Sequence, residues 1–398
     1  MHLDVLRSLR HEHEIASVLL HLIEKDGAGS WPPLACHDSM PAPLQSYQAI
    51  YHEMSASLST ASPSLHDGYN CKRIDHFRSL MRKLLRERVS VRDVEDMMIS
   101  AESDNWTILG RGQCNAFYCS IAVLRHAYRW ATIPVVRVAQ DERVIDFPES
   151  WKFLGNTFKG FLVINVGLSE KISSTEQSFF SMFYEVEVKA LPLYCELVHA
   201  IVAYQRQDKE SCLEHIQKMD PLVRELFQVI YQNLTNEKVS KQYWLRYCQG
   251  FQGWGLGKVV DGQFIRYDGL SGNHVLAFHV LDAFLGIQSY LSDEDMMRYI
   301  PARQRKFSSA VRMHSFRSLI VKDEDPEIYR EITKIVNQMR LFRAAHRHRV
   351  MPYLKVPAPE RQYMTAGKII GSQGCVGSVD DALKPLDDML VARLRQTM

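Results

Sequence analysis

His346 lies in the run Phe342-Arg343-Ala344-Ala345-His346-Arg347-His348, at the end of a strongly periodic stretch. Apolar side chains recur at Ile328, Ile332, Ile335, Val336, Met339, Phe342 and Val350, the spacing of one face of an α-helix. His346 follows Phe342 by four residues and falls on that face. A histidine on a buried helical face needs a partner for its ring nitrogens. The partner is a hydrogen bond or a metal, and haem iron is a common one in all-helical proteins. His348, two residues on, turns to another face and reads as exposed.

The elements that must position such a residue are mostly helical. Helical patterns run over 3–25, 46–58, 73–86, 90–101 and from Gly110 to Trp130. Residues 131–168 are mixed, with possible short strands at Ile133–Val138 and Phe161–Val166. Helices then dominate, at 176–206, 208–217, 219–234, 238–249, 272–291, 293–297, 301–312, 326–350 and 380–396. Residues 26–45 read as a loop. Residues 250–271 read as a glycine-dense loop, whose backbone allows close approach to a ligand or forms a plain connector. Residues 355–379, with Pro357, Pro359 and four glycines, read as a mobile loop or lid.

Composition narrows the function. At 398 residues the chain can bury a sizeable core in one or two domains. A net charge of +2 gives no general reason to bind nucleic acid or a membrane surface. There is no signal-peptide pattern among the first residues and no apolar run long enough for a membrane span. The eight cysteines are scattered without C-x-x-C or zinc spacing, so reduced thiols in a cytoplasmic protein are expected. No Walker motif or strand-borne GxGxxG supports nucleotide binding. No Ser-His-Asp or paired-carboxylate signature is present either.

Three blocks in order carry a resemblance. The first is Ser271-Gly272-Asn273-His274, followed by Phe278, Asp282 and Leu285-Gly286-Ile287-Gln288. The second is Met297-Arg298-Tyr299-Ile300-Pro301 with Arg305 and Phe307, and the third is Arg343-x-x-His346 with Tyr353 and Val356-Pro357. Together, over residues 176–357, they resemble the indoleamine 2,3-dioxygenase family, haem enzymes that open the indole ring of tryptophan. The resemblance implies a mostly α fold, with a small helical domain over 1–125 and a large helical haem domain over 126–398.

It also implies roles. His346 becomes the proximal ligand of haem b iron, with its other nitrogen donating to an acceptor. Arg343 becomes the partner of a haem propionate. Phe179 and Phe180 open the distal helix, and Phe183 stands where the family has a small hydroxyl residue. Tyr128 is placed beside the substrate ring, and Tyr243 and Trp244 sandwich the indole. Ser271 and Gly272 form the catalytic loop over the haem. The implied partners are dioxygen, a small indole-type substrate and an electron donor that keeps the iron ferrous.

Two departures bear on the substrate. Cys248 occupies the position of the family arginine that grips the amino-acid carboxylate, unless a bulge brings Arg246 there. A carboxylate in a dry pocket needs a forked cation, and a thiol removes that hold. An indole lacking the carboxylate, a modified tryptophan or another aromatic therefore joins tryptophan as an expected substrate. The lid run Gly371-Ser372-Gln373-Gly374-Cys375 replaces the family's Gly-Thr-Gly-Gly-Thr. The leading expectation is insertion of both oxygen atoms with C2–C3 cleavage. A monooxygenase on the same scaffold and a haem-binding sensor without turnover are the alternatives.

Overall fold

The computed structural model describes residues 2–26, 31–57, 66–103, 105–130, 174–241, 257–266, 274–289, 291–354, 388 and 390–397. The fold is mostly α, as expected, with one short β-hairpin among the described residues. No helix there is long and apolar enough to cross a membrane.

Two hydrophobic cores form. The smaller is built by α3 (Ala42–Ser57), α4 (Asp67–Arg88), α5 (Val91–Glu102) and α6 (Arg111–Trp130). Tyr47 and Phe117 meet edge to face there at 5.2 Å. The larger core gathers α1 (His2–Leu9), α2 (Glu14–His21), α7 (Ser174–Gln205), α8 (Lys209–Asn233), α9 (Leu276–Phe284), α11 (Ala302–His314) and α12 (Pro326–Leu354). Between α9 and α11 lies the short α10 (Asp293–Tyr299). Asp26 pairs with Arg111 at 3.3 Å and also with Arg303, linking α6 to α11.

The spine of the larger core is the hairpin of α7 and α8, which pack on each other more extensively than any other pair of helices described. Its turn is tight: Asp208 N donates to the Ala203 carbonyl at 3.0 Å, with Gln207 in the left-handed region at φ 61°. The Asp208 carboxylate then accepts from Ser211 N at 3.1 Å and caps α8. Pro192 and Pro221 sit inside these two helices, and each removes a backbone donor at a cost of about 3 kcal/mol. The apolar contact between the helices outweighs that cost. For this reason α8 is continuous where the sequence suggests a break near residue 218.

Other expectations shift for local reasons. The helix expected over 3–25 is interrupted, because His13 leaves helical geometry and its Nδ1 accepts from Ile15 N at 3.1 Å to cap α2. The helix expected over 272–291 is shorter. It ends where Gly286 takes φ 66° and Ile287 N reaches back to the Asp282 carbonyl at 2.8 Å. The glycine-dense loop contains strands β1 (Gly257–Val260) and β2 (Gln263–Arg266), with Val260 paired to Gln263. The two-residue turn Asp261-Gly262, at φ 52° and 77°, has the primed geometry that suits a twisted hairpin.

One carboxyl ties α7 to the start of α9. Glu187 accepts from the Tyr194 hydroxyl at 2.9 Å and from Ala277 N at 3.3 Å. Burial pushes its pKa up to about 7, against an ordinary value of 4.5. The folded state therefore holds a proton that the unfolded state releases, and stability falls as pH rises from about 4.5 to about 7. Glu187→Gln removes that loss. We expect the variant to gain on the wild type by a few kcal/mol between about pH 5 and about pH 8. Parallel melting curves against pH for the two proteins would contradict this.

Candidate functional site

The apolar stripe of α12 is buried as its spacing predicts: Ile328, Ile332, Ile335, Val336, Met339 and Phe342 all lie in the larger core. Phe342 is the contact point with two other helices. Its ring stacks on Phe227 of α8 at 4.2 Å and 8°, and on Phe278 of α9 at 5.4 Å and 15°. His346 continues the column one turn later, with its ring 5.6 Å from that of Phe342 at an interplanar angle of 26°. Beyond His346 the helix is held again. Arg349 donates to the Tyr231 carbonyl at 2.7 Å and covers the Tyr231 ring, and the Tyr353 hydroxyl donates to the Val239 carbonyl at 2.8 Å. His348 is exposed, as expected.

The His346 ring keeps some accessible surface, but its Nδ1 is buried and has no hydrogen-bond partner among the described residues. A core histidine kept for packing alone is normally hydrogen-bonded. The acceptor expected for the second ring nitrogen is not among the described residues. Burial also pushes the pKa down to about 4. The ring is therefore neutral near pH 7, the state in which a nitrogen lone pair can bind a metal. A neutral, stacked imidazole with a buried nitrogen that lacks a described partner would suit a residue that holds haem iron.

Arg343 is placed differently from a free propionate partner. It is buried. Its guanidinium donates to Asp282 of α9 at 2.5 Å and to the Arg393 carbonyl at 2.7 Å. Arg393 bonds the other Asp282 oxygen. One carboxylate thus joins α9, α12 and the helical stretch at 390–395. Breaking such a buried pair leaves an uncompensated charge and costs about 3–5 kcal/mol. In this arrangement Arg343 fixes the helix that carries His346. Contact with a propionate would require it to share or leave Asp282.

A second aromatic group sits at the other end of α9. Phe179 packs edge to face on Phe180 at 5.4 Å and on Phe183 at 5.1 Å. Phe183 in turn lies 5.8 Å from the ring of His274. All three phenylalanines are only partly buried, so the cluster offers an apolar surface to a ligand. The segment 274–284 is the shared wall: His274 faces the α7 aromatics and Phe278 faces the column leading to His346.

Tyr128 is not brought to this wall. It is fully buried in the smaller core, with Arg78 and Arg82 over its ring at 5.4 and 5.3 Å. Its side chain has no accessible surface for a substrate. Tyr243, Trp244, Arg246, Cys248, Ser271, Gly272 and the expected lid at 355–379 lie outside the described residues. Sequence reasoning did not single out Glu187, one turn beyond Phe183. A glutamate on a long helix reads as solvated, and only its packing against α9 shows otherwise.

A search of curated proteins finds no match. The sequence model of the family described as Indoleamine 2,3-dioxygenase matches residues 164–373, more than half of the chain. That span contains the α7 aromatics, the α9 wall and the α12 column. Members of this family are haem-dependent dioxygenases acting on indoles. The chain belongs to the indoleamine 2,3-dioxygenase family.

Proposed function

We propose that the protein is a haem-dependent oxygenase that opens the indole ring of tryptophan or a related indole between C2 and C3. The observation that carries the proposal is His346: neutral, stacked on Phe342, and with a buried nitrogen lacking a described partner. In this reading His346 is the proximal ligand of haem b, and Asp282 holds Arg343 so that α12 cannot rotate the ligand away. Ferrous haem, when bound, supplies the activation of dioxygen, and an external electron donor keeps the iron reduced. The chain supplies binding and orientation. Phe179 and Phe183 form an apolar wall for a flat aromatic ring, each contact contributing about 0.5–1.5 kcal/mol beyond area burial. Holding the reacting atoms about 3–3.5 Å apart contributes more to rate than those contacts do. Tyr243, Trp244, Ser271 and Gly272 complete the pocket in this proposal. Tyr128, buried in the smaller core, is left out of this proposal.

Cys248 sets the substrate preference in the same reading. A thiol in place of a guanidinium at the carboxylate position favours indoles without a free carboxylate over tryptophan. Phe183 supports a second outcome, insertion of one oxygen atom with the ring left intact. Its bulk, beside His274, fills space that a small hydroxyl residue would leave to the substrate.

His346→Ala should purify with little or no haem, measured as haem per chain, and should lose turnover. A fully loaded, active variant would remove the basis of the assignment. Cys248→Arg should raise the preference for tryptophan over indole by roughly ten- to a hundredfold, the range of one charge-assisted hydrogen bond. An unchanged ratio of kcat/KM values would mean that Cys248 does not face the substrate carboxylate.

A further inference from the structure

A second group of ligating side chains lies on the α7–α8 hairpin, away from the aromatic wall. Glu196 and His199 are three residues apart on α7 and so share a face. His215 comes from the facing helix α8. Their ligating atoms all lie within 4.8 Å of one another. The Glu196 carboxylate is 2.7 Å from His215 Nδ1, and the two imidazole rings are 4.9 Å apart at 45°. Glu196 and His199 are buried, while the His215 side chain is 20% exposed, which leaves one open approach. Glu196 lies thirteen residues beyond Phe183, about 20 Å along the helix axis, so this group is not part of the proposed haem site.

We propose that Glu196, His199 and His215 form a binding site for a divalent first-row transition ion, with zinc as the best-suited probe. Two imidazoles and one carboxylate are a borderline nitrogen–oxygen donor set of the kind such ions take. The two imidazoles and the carboxylate converge from facing helices, with their ligating atoms within 4.8 Å of one another. A divalent cation engages all three groups together. Lys218, which also acts on Glu196, is bonded to Glu214 at 2.6 Å and stands half exposed. Cys195 is next in the chain, but its thiol is not among the ligating atoms that converge here. A fourth position remains open for water. The bound ion would clamp α7 to α8 and so stiffen the spine of the larger core.

The test is a calorimetric titration of the purified full-length protein with Zn2+, with haem content measured beforehand. One zinc per chain is expected beyond the haem iron, and zinc should raise the melting temperature. His215→Ala and Glu196→Gln should each weaken binding by at least about tenfold, whereas His52→Ala, at an exposed histidine elsewhere, should bind like the wild type. A zinc K-edge absorption spectrum of the wild type needs no folded variant and should show two imidazoles and oxygen in the first coordination sphere. Absence of zinc binding by the wild type would overturn the proposal. So would equal affinity in His215→Ala and Glu196→Gln, or a spectrum with sulfur or a single imidazole.

Discussion

The stack on Phe342 is the contact on which the proposed site depends. Three phenylalanines from α8, α9 and α12 meet with ring separations of 4.2 and 5.4 Å and nearly parallel planes. Each such pair adds only about 0.5–1.5 kcal/mol to the area it buries, but the geometry is restrictive. A helix pinned on two neighbours by a flat ring cannot turn about its own axis. One turn later the same helix presents His346, so its ring plane follows that of Phe342. A metal ligand needs this kind of support, because a loosely held imidazole would find another hydrogen-bond partner.

The charged residues extend the same logic. Asp282 binds two arginines from two different segments in a buried position, and one of them is Arg343. The arginine three residues before the proposed iron ligand therefore acts on the helix first. The α9 segment is the common element: His274 just before it faces the α7 aromatics, its first turn receives Glu187 and carries Phe278, and Asp282 lies near its end. One helix of nine residues thus carries the Glu187 contact, the Phe278 stack and the Asp282 ion pairs.

Much of this was legible in the sequence where one helix buries one face. The stripe from Ile328 to Phe342 announces α12, and it places His346 correctly because the signal is local and periodic. Partners contributed by distant segments were not legible. The bond from Asp282 to Arg343 spans 61 residues, and no spacing rule predicts it. Glu187 and Glu196 look like ordinary solvated glutamates until packing buries the atoms around them. Glu196, His199 and His215 come together only when α8 folds back on α7. The hairpin at Asp261-Gly262 carried a readable turn signal that the surrounding glycines obscured. Tyr128 was matched by position alone, and its packing in the smaller core was not legible from that match.

The measurement that tests the central claim most directly is the absorption spectrum of the reduced protein under oxygen with L-tryptophan and with simple indoles, followed by mass analysis of the products. The account predicts a haem band and a product heavier than its indole substrate by two oxygen atoms. A protein that shows no haem band after reconstitution, or one that binds haem and leaves every indole unchanged, would contradict it.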